Sequence, residues 1–222
     1  MKRFALTAEF SFPRVIGESK IVTFVNPTNY FQTRPKWNEF TQVFSDGILF
    51  TKLYGRRSGV AIERVSFDFG SIAESVFSEA INRNFRVALI GGKPREIAKA
   101  VQKIQKKFPK LAICFHTDGY GDKDLVLREL EAQKPDLLIV GLGSPLQEDF
   151  LIECKSKLPN PFLGYTCGGF LTQTSISENY YPSWVNRYNL RWLFRFFRHA
   201  HVRKKLLVDY PVFLVRWFTD IR

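Results

Sequence analysis

Apolar residues fall into two kinds of run along the chain. Short blocks at 21–25, 87–90, 111–115, 137–140 and 162–166 read as buried strands. Between them the period lengthens toward that of a helix. Ile72, Val76, Phe77 and Ala80 form one helical face. Ile97, Val101, Ile104 and Phe108 form another, with Lys99, Lys103, Lys106 and Lys107 outside it. A further helix is expected from a cap at Asp122 to about Gln133, and another around Gln147. This alternation over residues 71–170 predicts βαβ units: an α/β fold with a mostly parallel, Rossmann-like sheet and helices on both faces. Nearer the start, turns are expected at Asn26-Pro27 and Ser45-Asp46-Gly47, an extended segment at 48–51, and a basic loop at 54–59.

The strands end in turns of unusual composition. Glycines at Gly91-Gly92, Gly119, Gly141 with Gly143, and Gly168-Gly169 all follow strands, so all four turns should share the carboxyl edge of the sheet. Ligands of open α/β sheets collect there, and glycine turns feeding helices suit a diphosphate. Gln147, in the first turn of its helix, is expected to hold its amide near the pocket mouth. The ordinary reading is a strand–turn–helix corner with a solvated Gln147–Glu148 pair. Gly91-Gly92-Lys93-Pro94 is neither a dinucleotide fingerprint nor a Walker A loop. Asp122-Lys123-Asp124 fits the DxD metal tripeptide, but helix capping explains two acidic residues there. Neither a metal nor a cofactor is expected.

Charge adds a second theme. The 222 residues carry a net +12, and the stretch 184–222 holds nine basic residues against two acidic ones. Trp184, Tyr188, Trp192, Phe196 and Phe197 interleave with Arg187, Arg191, Arg195 and Arg198, and Pro211 should break or kink the helix that follows. Such a tail suits an interface with anionic lipid, or packing of amphipathic helices on the domain. A basic, aromatic tail also suits nucleic acid, as the third and least favoured alternative. Two parts are expected: an α/β domain over 1–183 and a membrane-associating appendage over 184–222. Cys114, Cys154 and Cys167 lack metal spacing and read as reduced, mostly buried thiols. His199 and His201 read as part of the basic segment. Thr7 and Glu9 interrupt a signal-like start, and no apolar run approaches the roughly 20 residues of a spanning helix. The expected place is the cytoplasmic face of the membrane.

Several blocks, in order, resemble the WecG/TagA/CpsF family of bacterial glycosyltransferases, from about Ile21 to the C-terminus. They are Asp46-Gly47, Glu63-Arg64-Val65, Gly91-Gly92-Lys93-Pro94, Asp118-Gly119-Tyr120 and Gly141-Leu142-Gly143-Ser144-Pro145-Leu146-Gln147-Glu148. Gly168-Gly169, Pro182, Trp184 and the stretch 190–195 continue the series. The resemblance implies inverting transfer from a UDP-sugar to a polyprenyl-diphosphate-linked saccharide in cell-surface polysaccharide synthesis. N-acetylmannosamine, glucose and a uronic acid are the candidate donor sugars. It implies Asp46 as general base, with Thr23, Asn26, Arg64, Gly91, Gly92, Lys93, Asp118, Gly119, Tyr120, Gly141, Gly143, Ser144, Pro145, Gln147, Glu148, Gly168, Gly169, Arg195 and Arg198 around the substrates. The expected partners are donor, acceptor, an anionic membrane surface and a second copy of the chain, without nucleic acid. Where members carry Arg-Ala-Pro this chain has Tyr180-Tyr181-Pro182, and where they carry Phe-Asp it has Phe170-Leu171-Thr172. The alternative reading is therefore a catalytically impaired protein that binds nucleotide sugar at the membrane.

A positioned carboxylate suits the base because aspartate is ionised at neutral pH. Without the resemblance, Asp46-Gly47 reads as a common turn pair, and Arg64 as a surface partner of Glu63 or Asp68. Asp68, Asp118 and Glu148 are the rival carboxylates.

Overall fold

The computed structural model describes residues 6–14, 17–177, 185, 191–198, 203 and 205–219. Its sheet has six strands: β1 (Lys20–Val25), β2 (Gln42–Ser45), β3 (Arg86–Gly91), β4 (Ala112–Thr117), β5 (Leu137–Gly141) and β6 (Leu163–Thr166). All pairs are parallel, in the order β2-β1-β6-β5-β3-β4. The strands read as continuous apolar runs because helices cover both faces.

Val22, Phe24, Phe44, Leu89, Ile139 and Tyr165 point to the first face. There they meet α3 (Ala73–Asn82), α4 (Pro94–Lys107) and α7 (Phe170–Ile176). Ile97, Val101 and Ile104 of α4 are buried in this layer, followed by Phe108, as their spacing predicts. Alternate strand residues, among them Ile21, Val25, Ala88, Ile90, Leu138 and Val140, face the second layer. This consists of α1 (Tyr30–Thr33), α2 (Ile48–Ser58), α5 (Lys123–Gln133), α6 (Leu146–Lys157) and α9 (Tyr210–Thr219). A short 3₁₀ helix, Arg34–Glu39, follows α1 and places Trp37 in the same layer. The outer edge of β2 is covered: Thr7 N–H donates to Val43 O (2.8 Å) and Val65 N–H to Ser45 O (2.9 Å).

Two expectations change. Residues 48–51 are not extended, and 54–59 is not a loop; both lie in α2, which is capped by Gly59 at φ 70°. Phe50, Leu53 and Tyr54 make its inward stripe, so a helical period underlies the glycines and arginines that read as punctuation. Pro211 stands where a π-helical turn gives way to α9, an irregularity at the expected place. It lies in the first turn of α9, where a missing N–H costs little, after a π-helical turn at Lys205–Asp209. The preceding helix, α8 (Arg191–Arg198), falls within the expected aromatic-basic tail.

The last helix is seated firmly. Phe213 and Trp217 are buried against Tyr30 and Phe50, with ring centroids 5.3–5.9 Å apart. Arg57 lies over the Trp217 ring at 5.4 Å and Arg216 over Phe31 at 4.1 Å. Its opposite face, Val212, Val215 and Phe218, is exposed, as are Leu207 and Val208 before it. Among the described residues, no helix is long and apolar enough to cross a membrane.

Candidate active site

Every strand ends at the same edge, and the connections there diverge. β5 leads into α6 on the second face, whereas its neighbours β3 and β6 lead into α4 and α7 on the first. This divergence makes a topological switch point, with the crevice above β3, β5 and β6. The four glycine turns lie along this edge. Gly91 pairs with Gly141 across the β3–β5 ladder, and a Cβ on Gly91 would meet Gly141 O at 2.4 Å. Part of the glycine signal therefore reports close packing of one turn on the next. Gly143, at φ 76°, has nothing within 4 Å of a built Cβ and faces open space.

Several turn amides are already engaged. Lys93 N–H donates to Glu96 Oε2 (2.9 Å), and Gly119 N–H to Gly92 O (3.0 Å). Tyr120 N–H donates to Asp118 Oδ1 (2.8 Å), and Gly168 N–H to Gln147 Oε1 (3.0 Å). Asp122 Oδ1 caps α5 by accepting from Asp124 N–H (2.9 Å). The carboxylates of Glu96, Asp118 and Asp122 thus occupy the anion-attracting positions on the β3 and β4 side.

At the other end, Asp46 sits in the turn after β2, half-buried. Arg64 Nη2 donates to Asp46 Oδ1 (2.9 Å) and to Ser66 Oγ (3.0 Å), and Ser66 Oγ donates to Asp68 Oδ2 (2.6 Å). A one-residue parallel bridge between Ser45 and Arg64 brings the two segments side by side. Arg64 is therefore the partner of Asp46, where the sequence offered Glu63 or Asp68. Asn26 lies in the adjoining turn after β1; a Cβ on Gly47 would lie 3.8 Å from Asn26 Cβ. Asp118 closes the opposite end of the edge, five strand spacings away, or about 24 Å. The two aspartates cannot serve one reacting centre.

Between them lies a buried polar cluster. Thr23 and Thr166 interrupt the second-face side of β1 and β6, with their hydroxyl oxygens 3.0 Å apart. Glu148, fully buried, accepts from Thr23 Oγ1 (3.1 Å) and Gln147 Nε2 (3.0 Å) at one oxygen and from Ser144 Oγ (2.8 Å) at the other. This corrects the expectation for the corner. Neither Gln147 nor Glu148 is solvated, and the Gln147 amide lies between Glu148 and the Gly168 turn.

Thr166 and Ser66 were not among the predicted site residues, and Asp68 was named only as a rival base. A threonine within an otherwise apolar strand face was the available signal for the first. Tyr180, Tyr181, Pro182 and the side chains of Arg195 and Arg198 lie outside the described residues. Among those described, no group of three His, Cys, Asp or Glu side chains could hold a metal.

The fold, with its polar carboxyl edge, is that of a doubly wound α/β protein. The model of the glycosyl transferase WecG/TagA/CpsF family matches residues 11–222, and the chain belongs to that family. It is 41% identical over 214 residues to a UDP-Gal:alpha-D-GlcNAc-diphosphoundecaprenol beta-1,4-galactosyltransferase of Shigella boydii, covering 93% of this chain and 88% of that one. It is 29% identical over 137 residues to an N-acetylglucosaminyldiphosphoundecaprenol N-acetyl-beta-D-mannosaminyltransferase of Bacillus subtilis, covering 61% and 53%. A protein of the same description from Staphylococcus aureus is 25% identical over 115 residues, covering 50% and 44%. The match thus spans most of the Shigella relative and about half of the others.

Proposed function

We propose that the protein transfers galactose from UDP-galactose to an N-acetylglucosaminyl-diphospho-polyprenol, with inversion at the anomeric carbon. The observation that carries the donor is the 41% identity across 93% of the chain to the Shigella galactosyltransferase. The matches to mannosaminyltransferases are weaker and shorter. Galactose thus takes precedence over N-acetylmannosamine, glucose or a uronic acid.

In this reading Asp46 takes the proton from the acceptor hydroxyl as that oxygen bonds to the anomeric carbon. The bond from that carbon to the UDP oxygen breaks, and UDP leaves with the electron pair. Its charge then needs cations and amides rather than a proton. Arg64, anchored on Ser66, orients the Asp46 carboxylate and supplies positive charge beside it. Arg195 and Arg198 are proposed to approach the diphosphate from the tail. Asn26, Lys93, Tyr120 and Gly143 belong to the proposed substrate surroundings, together with the remaining glycine turns, whereas Thr23 and Ser144 turn their hydroxyls to Glu148. Residues 184–222 would rest on anionic lipid. The buried Phe213 and Trp217 support a tail that is also fastened to the domain, and the exposed Val212, Val215 and Phe218 support lipid contact.

The test is transfer by the purified protein to a synthetic N-acetylglucosaminyl-diphospho-lipid, with UDP-galactose, UDP-glucose, UDP-N-acetylmannosamine and UDP-glucuronate compared by mass spectrometry. The expected product is one hexose heavier and forms from UDP-galactose. Transfer from another donor would reassign the sugar. Binding of UDP without transfer from any donor would instead select the catalytically impaired alternative.

A further inference from the structure

We propose that Glu148 is a positioning residue that sets the two turns bordering the switch-point crevice, and is neither a substrate contact nor a base. The proposal rests on the reading that the donor occupies the carboxyl edge. Its starting point is a carboxylate with no exposed surface in the first turn of α6. The positive end of that helix favours negative charge at this position. Three side-chain donors complete its surroundings: Thr23 from β1, Ser144 from the turn after β5, and Gln147 from α6 itself. Thr166 of β6 joins through Thr23, so one carboxylate ties three neighbouring strand ends together.

The consequence lies in Gln147. An ionised carboxylate only accepts, so the Gln147 Nε2 amide must face Glu148. The opposite end, Oε1, must then face away, and it receives the Gly168 N–H at 3.0 Å. Glu148 thereby fixes which end of the Gln147 amide meets the turn after β6. Through Ser144 it also holds the turn after β5. Both turns lie on the crevice, yet Glu148 has no surface to offer a ligand. Its effect on the reaction therefore passes through the backbone of residues 143–145 and 168–169.

The experiment compares Glu148→Ala with Glu148→Gln, by amide exchange at Gly168 and by steady-state kinetics with UDP-galactose. The glutamine variant can keep its carbonyl toward Thr23 and Gln147 and turn its NH₂ to Ser144 Oγ, which can accept. A positioning role is therefore rescued by glutamine. Exchange at Gly168 should quicken at least about tenfold in Glu148→Ala, with the β3 and α4 amides unchanged, and return toward wild type in Glu148→Gln. The KM for donor should rise on the order of 10²-fold in the alanine variant and recover to within about tenfold in the glutamine variant. Unchanged Gly168 exchange in Glu148→Ala would overturn the proposal. So would a glutamine variant as inactive as the alanine one, which would make the negative charge itself the requirement. If Glu148→Ala does not fold, Ser144→Ala carries the test: it removes a single hydrogen bond, and a wild-type donor KM would refute the arrangement, whereas a rise of about threefold or more would support it. The exchange readout needs no sugar transfer, so it stands even if the wild-type protein proves not to use UDP-galactose.

Discussion

Asp46 and Glu148 are both acidic residues beside strand ends, and their surroundings separate them. Asp46 is half-buried in a turn, where Arg64 engages one of its oxygens. Glu148 is enclosed and fully engaged by donors from its own fold. The accessible carboxylate is the one suited to accept a proton from a substrate. Asp46→Asn should lower turnover about 10²–10⁴-fold, the usual contribution of a positioned base, while UDP affinity stays near wild type. Asp118 spends one oxygen on the Tyr120 amide and lies at the far end of the edge. Asp118→Asn should therefore lose less turnover than Asp46→Asn, and the reverse order in single-turnover assays would move the base to Asp118.

Among the elements, α9 has one buried face and one exposed apolar face. Trp217 is 2% exposed and stacked among aromatic rings, whereas Val215 and Phe218 are 63% and 70% exposed. Trp217→Ala should cost about 3–5 kcal/mol of stability, the range for a large buried aromatic, and should lower the melting temperature. Val215→Asp with Phe218→Asp removes apolar surface that is mostly exposed. The melting temperature should then stay within a degree or two, while co-sedimentation with anionic vesicles falls severalfold. Vesicle binding that survives this double substitution would place the lipid contact elsewhere in 184–222. Both faces of α9 are apolar, so periodicity alone could not say which one the domain covers. α2 shows the opposite difficulty: its stripe of Phe50, Leu53 and Tyr54 is helical, but the strand-like residues at 48–51 masked it.

The whole molecule carries its thiols in a particular state. Burial pushes Cys154 up to about 12, and burial raises Cys167 as well. Tyr30 and Tyr165 are also raised, chiefly by burial. In the unfolded chain a thiol ionises near about pH 8.5, so above that pH the unfolded state sheds protons that the folded state keeps. The stabilisation is full below about pH 8.5 and is lost as pH rises toward the folded-state values. The melting temperature should accordingly fall from about pH 9 upward. Cys154→Ala should flatten that decline between about pH 9 and 11, whatever its effect at pH 7. An equally steep decline in the variant would assign the alkaline loss to other groups.

The sequence by itself determined the layered α/β plan. Strands covered on both faces must be apolar throughout, and helices covered on one face must be periodic; the blocks at 87–90, 97–108 and 137–140 state this locally. It also placed the glycine turns on one edge, because consecutive parallel strands must end on the same side. Tertiary structure decided which of those turns could serve a ligand. Glu96 closing the Lys93 amide is a local capping box, but Gly91 lying against Gly141 depends on a contact between segments tens of residues apart, for which no local pattern codes. The pairing of Arg64 with Asp46 arises in the same way, from a single bridge beside β2. Glu148 is the sharpest case. A helix start beside a turn predicts a solvated carboxylate, and only the convergence of β1, β5 and β6 supplied enough donors to hold that charge away from water.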